Sequence, residues 1–219
     1  MAELKGLIFD MDGVIVNTVP LHFEAWKKMF SDYGVEFNFE DYKKKVDGIP
    51  RLAGTGAILT DFSDDKLKEA ADKKQGYFTD LITTKKVEVY EDTLAFLNSL
   101  DRDALKIAVA SSSKNCKDIL RKAGLSSIFD AVVDGYGFNK GKPDAEIFLN
   151  ASRLLKLNSF DCVVFEDAEK GVEAAKNGNM ACVGVDRHNQ PQLLSKADLI
   201  INNFSQISLE MIEKIVIDQ

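Results

Sequence analysis

Short apolar runs alternate with polar, helix-favouring segments along most of this chain. Each run is rich in β-branched residues and is followed by polar or small residues. This alternation is typical of a parallel β-sheet covered by helices, so the sequence predicts an α/β fold. The predicted strands are residues 5–9, 106–110, 131–133, 162–165, 181–185 and 199–201. The predicted helices between them are residues 114–123, 144–155 and 169–176.

Residues 14–87 break this alternation, because they contain helical patterns and no convincing strand. Apolar residues between Leu21 and Phe30 recur at helical spacing, and residues 64–81 form a second amphipathic pattern. A connection of this length within a βαβ unit predicts an inserted helical subdomain. Because it follows the first strand directly, we expect it to act as a lid. The predicted domains are a core of residues 1–14 and 88–219 and a helical cap of residues 15–87.

The composition limits the classes of partner. The 219 residues carry a net charge of −7, and no basic cluster is longer than Lys43–Lys45. We therefore expect neither a nucleic acid nor a membrane as partner, and no apolar run approaches the roughly 20 residues of a membrane span. The N-terminus lacks a signal-peptide pattern, and the cysteines are odd in number and lack zinc-site spacing. These features predict a cytoplasmic protein with reduced thiols.

Two carboxylates, Asp10 and Asp12, stand where the first apolar run stops. Open α/β sheets bind ligands at the carboxyl ends of their strands, and residues i and i+2 of an extended chain point to the same side. The two carboxylates would repel each other unless a cation joined them or one held a proton, and either case indicates chemistry. The alternative is a pair of turn aspartates, because Asp-Gly is a common turn signal.

Polar side chains also follow other predicted strands. Ser111–Ser113 follow the second strand, Lys142 precedes a helix, and Glu166-Asp167 follow a later strand. Carboxylates, a hydroxyl and a lysine at one sheet edge would suit a phosphate and a divalent cation. The oxygens of Asp10, Glu166 and Asp167 suit Mg²⁺, and Asp10 could attack phosphorus. Taken singly, the serines could cap a helix, Lys142 could be a loop lysine, and the acids could be a polar helix N-terminus.

Four segments resemble, in order, the motifs of the haloacid dehalogenase superfamily of phosphoryl-transfer enzymes. They are Asp10-Met-Asp12-Gly-Val, Ala110-Ser111-Ser-Ser, Gly141-Lys142-Pro143 and Glu166-Asp167-Ala-Glu-Lys-Gly171. The resemblance covers about residues 5–186. It implies a doubly wound parallel sheet of Rossmann-like type, with an α-helical cap inserted after the first strand.

The same resemblance implies a role for each catalytic residue. Asp10 would be the nucleophile, and Asp12 would be the general acid and base, with its backbone carbonyl on Mg²⁺. Ser111 would hydrogen-bond the transferring phosphoryl group, and Lys142 would stabilise its charge. The metal site would consist of Asp10, Asp12, Glu166 and Asp167. This division of labour is physically reasonable, because positioning and charge neutralisation carry most phosphoryl-transfer catalysis.

The helical segment resembles the cap of the β-phosphoglucomutase branch of this superfamily. Thr18, His22 and Trp26 resemble its hinge and first cap helix, and Gly48-Ile-Pro-Arg51 resembles its Gly-x-x-Arg substrate loop. The resemblance implies that Arg51 binds the phosphate that is not transferred, a task that suits a planar guanidinium. The further substrate contacts that it implies are Lys74, Ser113, Lys114 and Asn115.

Two of these residues have simpler alternatives, and two positions depart from the pattern. Trp26 could belong to the cap core, and Arg51 could form a surface salt bridge. Asp47 stands where a basic residue is common, which alters the charge of the substrate loop. Ala168 stands where a serine is usual, which removes one hydroxyl beside the metal site.

The predicted function is Mg²⁺-dependent phosphoryl transfer on a small sugar phosphate, with conversion of β-glucose 1-phosphate to glucose 6-phosphate as the leading hypothesis. A sugar-phosphate phosphatase would use the same residues, with water attacking the aspartyl phosphate. A third hypothesis is a non-catalytic module in which Asp10 is only phosphorylated, but such a module needs neither Asp12 as a proton donor nor a cap. We expect a monomer, because the apolar faces are needed for the core and the cap.

Overall fold

The protein forms two compact units. The structure, a computed structural model, describes residues 2–46 and 49–218. One unit contains the chain up to Asn17 and from Val87 onward, and the other is Thr18–Lys86. The strands are, in chain order, β1 (Gly6–Phe9), β2 (Val16–Asn17), β3 (Glu88–Val89), β4 (Lys106–Ala110), β5 (Ala131–Val133), β6 (Cys162–Glu166), β7 (Ala181–Val185) and β8 (Leu199–Ile201). The helices are α1 (Val19–Asp32), α2 (Phe39–Lys45), α3 (Arg51–Gly56), α4 (Asp64–Thr84), α5 (Glu91–Ser99), α6 (Cys116–Lys122), α7 (Glu146–Leu155), α8 (Glu169–Asn177) and α9 (Leu209–Ile217).

The described residues of the first unit form a parallel sheet with the strand order β5-β4-β1-β6-β7-β8. The chain runs outward from β1 through β4 to β5, and then returns to build β6, β7 and β8 on the other side. The order of the strands therefore reverses between β1 and β6, and open α/β sheets place their ligand crevice at such a point. Phe9 of β1 pairs with Phe165 of β6, so the residues after these two strands lie side by side.

Both faces of the sheet are covered, which confirms the doubly wound α/β fold. Side chains on successive residues of a strand point to opposite faces, and the residues of β1 are fully buried. Ile8 belongs to a core that includes Ile147 and Phe148 of α7. On the other face, Phe9 stacks on Phe165 with ring centroids 4.5 Å apart. Continuous burial on both faces explains why the strands are apolar runs without alternation.

The prediction that residues 14–87 contain no strand is wrong at one place. Val16 and Asn17 of β2 pair with β3 in an antiparallel ribbon, with Val16 opposite Val89. A two-residue strand is too short to show a period, and its partner lies far away in the sequence. The predicted starts at residues 114 and 144 are also two residues early, because turns precede α6 and α7. At α7, for example, the Asp144 carboxylate accepts a hydrogen bond from the Glu146 N–H.

The second unit is helical in its described part. Its helices α1 and α4 pack together, and the core includes Trp26, Met29, Phe30, Phe37 and Tyr42. A capping box begins α2, because Asn38 accepts from the Asp41 N–H while Asp41 accepts from the Asn38 N–H. Among the described residues, no helix is both long and apolar enough to cross a bilayer.

Replacement of Phe204 by alanine tests the aromatic layer of the first unit. Phe204 is 2% exposed, and its ring lies 5.3 Å from Phe165 and 5.2 Å from Phe96. We expect Phe204→Ala to lower the free energy of unfolding by about 3–5 kcal/mol, because it leaves a cavity. Urea unfolding followed by circular dichroism measures this loss. Phe160→Ala is the control, because Phe160 is 47% exposed; equal losses in both variants would contradict the assignment of this layer to the core.

Candidate active site

Asp10 and Glu166 lie next to each other at the point where the strand order reverses. Asp10 directly follows β1, and Glu166 is the last residue of β6. The backbone N–H of Asp10 donates to the carbonyl of Phe165 over 2.9 Å, so the ladder between the strands continues to Asp10. The position of the Asp10 backbone is therefore set by backbone hydrogen bonds of the sheet and does not depend on side-chain contacts.

A buried lysine joins these two carboxylates. The Lys142 ammonium donates hydrogen bonds to the carboxylates of Asp10 and Glu166. The side chains of Lys142, Asp10 and Glu166 are 13%, 10% and 1% exposed. Ion pairs with so little access to solvent are weakly screened, and removal of one partner leaves an uncompensated charge. Lys142 and Asp10 therefore hold each other in place.

A third acid gives the cluster an excess of negative charge. Carboxylate oxygens of Asp10, Glu166 and Asp167 lie within 4.8 Å of one another and could hold a metal ion. One lysine balances only part of this charge. Hard carboxylate oxygens in such an arrangement are suited to Mg²⁺ or Ca²⁺.

Two glycines make room for the acids. A Cβ on Gly13, which has a φ of +81°, would lie 1.9 Å from Asp167 Oδ2. A Cβ on Gly171, in the first turn of α8, would lie 1.8 Å from Glu166 Oε1. Both backbones thus approach a carboxylate more closely than any side chain allows. Neither glycine was predicted as a site residue, although both stand inside the motifs of Asp10 and Glu166.

The electrostatics of the cluster show the same excess of negative charge. Burial, with Glu166 and Asp12 nearby, raises the pKa of Asp10 to about 7 against the opposing effect of Lys142. Burial, with Glu166 and Asp10 nearby, raises the pKa of Asp167 well above its usual value. Although burial opposes its charge, the carboxylates of Asp10 and Glu166 raise the pKa of Lys142 above that of an ordinary lysine. A bound cation would favour the ionised carboxylates.

Asp12 lies in a tight turn after Asp10. It forms an isolated bridge with Val16, the Gly13 N–H donates to the Val16 carbonyl over 2.9 Å, and the Ile15 N–H donates to the Met11 carbonyl over 2.9 Å. The negative charge of Asp12 raises the pKa of Asp10, which shows that the two carboxylates lie near each other. Asp12 is therefore close to Asp10 but less buried, which suits a group that exchanges protons.

Ser111 lies at the same edge of the sheet. It follows β4, the neighbour of β1, and it is 1% exposed. Its N–H donates to the Val133 carbonyl over 2.9 Å, and its hydroxyl oxygen accepts from the Ser113 N–H over 3.0 Å. The serines make turn contacts instead of capping α6, because the N-cap residue is Asn115 and its side chain makes no capping hydrogen bond. Lys114 places its ammonium 4.9 Å from the centre of the Tyr136 ring.

In the second unit, Lys74 and His22 form a polar pair among aromatic rings. The Lys74 ammonium lies 2.8 Å from His22 Nδ1, and the His22 ring stacks on Phe78 at 3.9 Å. Lys74 is 3% exposed and lies 5.2 Å from the centre of the Trp26 ring. Burial and Lys74 lower the pKa of His22 well below its usual value. Burial and the charge of Arg51 lower the pKa of Lys74 to about 7.

The remaining predicted residues of the second unit have the following positions. Arg51 donates to Gln75 Oε1 over 3.0 Å and to Asp72 Oδ1 over 3.2 Å. In this structure it therefore forms a salt bridge with Asp72, as the simpler alternative predicted. Trp26 belongs to the core of the unit and stacks on Phe30 at 5.4 Å. Thr18 is buried and is the N-cap residue of α1. Gly48 and its neighbour Asp47 lie outside the described residues.

The structure thus brings the predicted residues together in two groups, one in each unit. The first group is Asp10, Asp12, Ser111, Lys142, Glu166 and Asp167, with Ser113 and Asn115 in the turn after Ser111. The second group is His22, Trp26, Arg51 and Lys74. The charge of Arg51 lowers the pKa of Lys74, so these two predicted substrate contacts lie near each other.

Comparison with known proteins identifies the family. The chain matches the family described as haloacid dehalogenase-like hydrolase over residues 7–185. It belongs to this family. A β-phosphoglucomutase of Bacillus subtilis is 34% identical over 218 residues, which are 96% of this chain and 95% of the relative. A phosphorylated carbohydrates phosphatase of Thermotoga maritima is 32% identical over 182 residues, which are 81% of this chain and 82% of the relative.

A solved structure agrees with this assignment. The crystal structure of a β-phosphoglucomutase from Clostridium difficile matches with a TM-score of 0.82 and 29% identity, over 100% of this chain and 98% of that chain. This haloacid dehalogenase family member is therefore an enzyme of the phosphatase and phosphomutase group.

The pH dependence of stability tests the excess charge of the cluster. The folded, metal-free protein binds protons on Asp10 and Asp167 that the unfolded chain releases at about pH 4. These carboxyls therefore make the free energy of unfolding fall as the pH rises from about 4 towards their raised folded-state pKa values, which for Asp10 is about 7. The contribution of Lys74 to this pH dependence has the opposite sign. Because its pKa is lowered to about 7 in the folded protein, it makes the free energy of unfolding rise between about pH 7 and 10.

A difference between variants isolates the contribution of Asp167. Asp167→Asn stays neutral, so in chelator-treated protein we expect a smaller fall in stability between pH 5 and 8 and a higher melting temperature at pH 8. Thermal unfolding across this pH range measures both. Asp103→Asn, on an exposed loop, is the control and should follow the unmodified protein. Parallel curves for Asp167→Asn and the unmodified protein would contradict the electrostatic account.

Proposed function

We propose that this enzyme is an Mg²⁺-dependent β-phosphoglucomutase, which converts β-glucose 1-phosphate to glucose 6-phosphate through a bisphosphate intermediate. The observation that carries the proposal is the buried Asp10 carboxylate, bound by Lys142 and placed beside the acids Glu166 and Asp167. The similarity to the Bacillus subtilis and Clostridium difficile mutases favours the mutase over other reactions.

The acidic cluster fits the metal. Oxygens of Asp10, Glu166 and Asp167, with the backbone carbonyl of Asp12, would hold Mg²⁺. Burial, with the neighbouring carboxylates, raises the pKa values of Asp10 and Asp167, and a bound cation would favour their ionised forms. When bound, Mg²⁺ would neutralise charge on the transferring phosphoryl group and on the acids.

The chain's own residues account for the transfer. An oxygen of the Asp10 carboxylate forms a bond to phosphorus as the bond from phosphorus to the sugar oxygen breaks. Asp12 gives its proton to the departing sugar oxygen, and its carboxylate later takes a proton from the sugar hydroxyl that attacks the aspartyl phosphate. Lys142 orients Asp10 and favours its ionised form, and it stabilises charge on the phosphoryl oxygens together with the Ser111 hydroxyl. Ser113, Lys114 and Asn115 would contact the substrate from the turn after Ser111.

The second unit would bind the phosphate that is not transferred. Arg51 and Lys74 are close enough for the arginine to lower the lysine's pKa, and two cations that repel each other are stabilised by an anion between them. A phosphate would therefore raise the pKa of Lys74 and keep it charged at neutral pH. His22 is neutral and accepts from the Lys74 ammonium, so it orients this cation. Thr18 and Trp26 would support the arrangement, and the proposed contact of Gly48 lies outside the described residues.

A sugar-phosphate phosphatase is the second candidate. It would use the same residues, but water instead of a sugar hydroxyl would attack the aspartyl phosphate. The similarity to the phosphorylated carbohydrates phosphatase of Thermotoga maritima favours this candidate. The two reactions differ only in the acceptor of the phosphoryl group.

A coupled assay separates the two candidates. The enzyme is incubated with β-glucose 1-phosphate, Mg²⁺ and a trace of β-glucose 1,6-bisphosphate, and glucose 6-phosphate and free phosphate are both measured. The mutase predicts rapid formation of glucose 6-phosphate with little free phosphate. Release of phosphate without isomerisation would contradict the mutase and support the phosphatase.

Replacement of Asp12 by asparagine separates an enzyme from a module that is only phosphorylated. We expect Asp12→Asn to lower kcat about 10²–10⁴-fold, because it removes the general acid and base. The measurement is steady-state turnover, with incorporation of phosphate into Asp10 determined on the same samples. Full turnover in this variant would refute the role of Asp12, and phosphorylation without any turnover in the unmodified protein would indicate the non-catalytic module.

Variants of Arg51 and Asp72 test the phosphate site of the second unit. We expect Arg51→Ala to raise KM for the sugar phosphate about 10–100-fold, because a charge-assisted hydrogen bond contributes about 1.5–3 kcal/mol. Asp72→Asn should lower KM, because it removes the carboxylate that now binds Arg51. Arg121→Ala is the control, since Arg121 is a surface residue paired with Asp118. Equal KM values for Arg51→Ala and the control would contradict the site.

A further inference from the structure

Arg187 is a buried cation that the proposed chemistry does not use. It lies two residues after β7, at the edge of the sheet that carries the acidic cluster, and its side chain is 10% exposed. Its guanidinium donates to Asp92 Oδ2 over 2.8 Å and to the Thr93 hydroxyl over 2.8 Å. It also lies 4.2 Å from the centre of the Tyr90 ring. Through these contacts Arg187 connects the residues after β7 to the first turn of α5.

Thr93 extends this contact to the turn that carries Asp12. Its hydroxyl accepts from Arg187 and donates to the Val14 carbonyl over 2.7 Å. Thr93 has no exposed surface, so no solvent replaces either bond. Val14 is two residues after Asp12, within the turn that begins at Asp10. A continuous hydrogen-bonded path therefore runs from Arg187 through Thr93 to the turn of the proposed general acid.

A second path reaches the same turn through the ribbon of β2 and β3. Tyr90, which stacks on Arg187, follows β3 directly, and its N–H donates to the Ile15 carbonyl over 3.0 Å. Asp92 is fixed in turn, because its carboxylate also accepts from the Phe204 N–H over 2.8 Å. Arg187 thus supports the two consecutive residues that connect the Asp12 turn to β2.

The placement of Arg187 is not optimal for stability. Among the described residues, its Nε is the buried side-chain polar atom without a hydrogen-bond partner. A buried donor without a partner is destabilising. Unpaired buried donors are expected at residues that are retained for a functional site, because such residues are not placed for stability alone.

We propose that Arg187, acting through Thr93, is a positioning residue that fixes the turn of Asp12 for proton transfer to the departing sugar oxygen. Neither residue touches the substrate. This inference rests on the proposed function, because it requires Asp12 to be the general acid. A displacement of about 1 Å at a reacting group can cost about 10²-fold in rate, so loss of the support should reduce the contribution of the acid.

The test compares two phosphoryl donors that differ in their need for a proton. Departure of a sugar oxygen requires protonation, whereas departure of 2,4-dinitrophenolate does not. Because Asp12 would also act in the second step, only the first step, formation of the aspartyl phosphate, is measured in a single turnover. The rate of this step from β-glucose 1-phosphate is divided by its rate from 2,4-dinitrophenyl phosphate for each variant. General destabilisation lowers both rates equally and leaves the ratio unchanged, while misplacement of Asp12 lowers the ratio.

Thr93 allows a matched pair of variants. Thr93→Val keeps the shape of the side chain without the hydroxyl, and Thr93→Ser keeps the hydroxyl. We expect Thr93→Val and Arg187→Met to lower the ratio about tenfold or more, and Thr93→Ser to restore it to within about threefold of the unmodified enzyme. Thermal unfolding establishes that each variant is folded at the assay temperature.

The Asp12→Asn variant shows which claim fails. A lower ratio in Asp12→Asn with an unchanged ratio in Thr93→Val and Arg187→Met would overturn the positioning role alone. An unchanged ratio in Asp12→Asn would overturn the general-acid role, and the positioning role with it. Equal ratios for Thr93→Val and Thr93→Ser would also overturn the proposal, because the hydroxyl would then be irrelevant.

Discussion

The contact between the Lys142 ammonium and the carboxylates of Asp10 and Glu166 is the interaction on which the site depends. Three acids, of which Asp10 and Glu166 are buried and Asp167 is half-buried, face one lysine, so the cluster needs further positive charge. A divalent cation would supply that charge and would also counter the negative charge of a phosphoryl group. Lys142 favours the ionised form of the proposed nucleophile, Asp10, against a burial that favours the neutral form.

The sheet topology explains why this contact forms. The strand order reverses between β1 and β6, and the register of these strands places Asp10 beside Glu166. The glycines at positions 13 and 171 then admit the carboxylates of Asp167 and Glu166 into spaces that a side chain would fill. The fold therefore brings the acids close together although their charges repel each other. A bound cation would relieve this repulsion.

Sequence reasoning predicted the parts of this protein that local pattern determines. β4, β5, β7 and β8 were predicted with their observed bounds, because buried parallel strands are compact apolar runs. The acids could be predicted because they follow strands within motifs, and Lys142 because it stands in a motif that precedes a helix. The ribbon of β2 and β3 could not, since two-residue strands have no period. The contacts of Arg187 with Thr93 and of Lys74 with His22 join residues far apart in the chain, and no local pattern encodes them.

The central claim is that Asp10 itself carries the phosphoryl group. The most direct measurement incubates the enzyme with Mg²⁺ and ³²P-labelled β-glucose 1,6-bisphosphate, quenches it with acid and reduces it with borohydride, which converts an aspartyl phosphate to homoserine. Peptide mass spectrometry then locates the modified residue. The account predicts homoserine at position 10 and none in Asp10→Asn. Label on another residue, or turnover without any acid-stable label or homoserine, would contradict it.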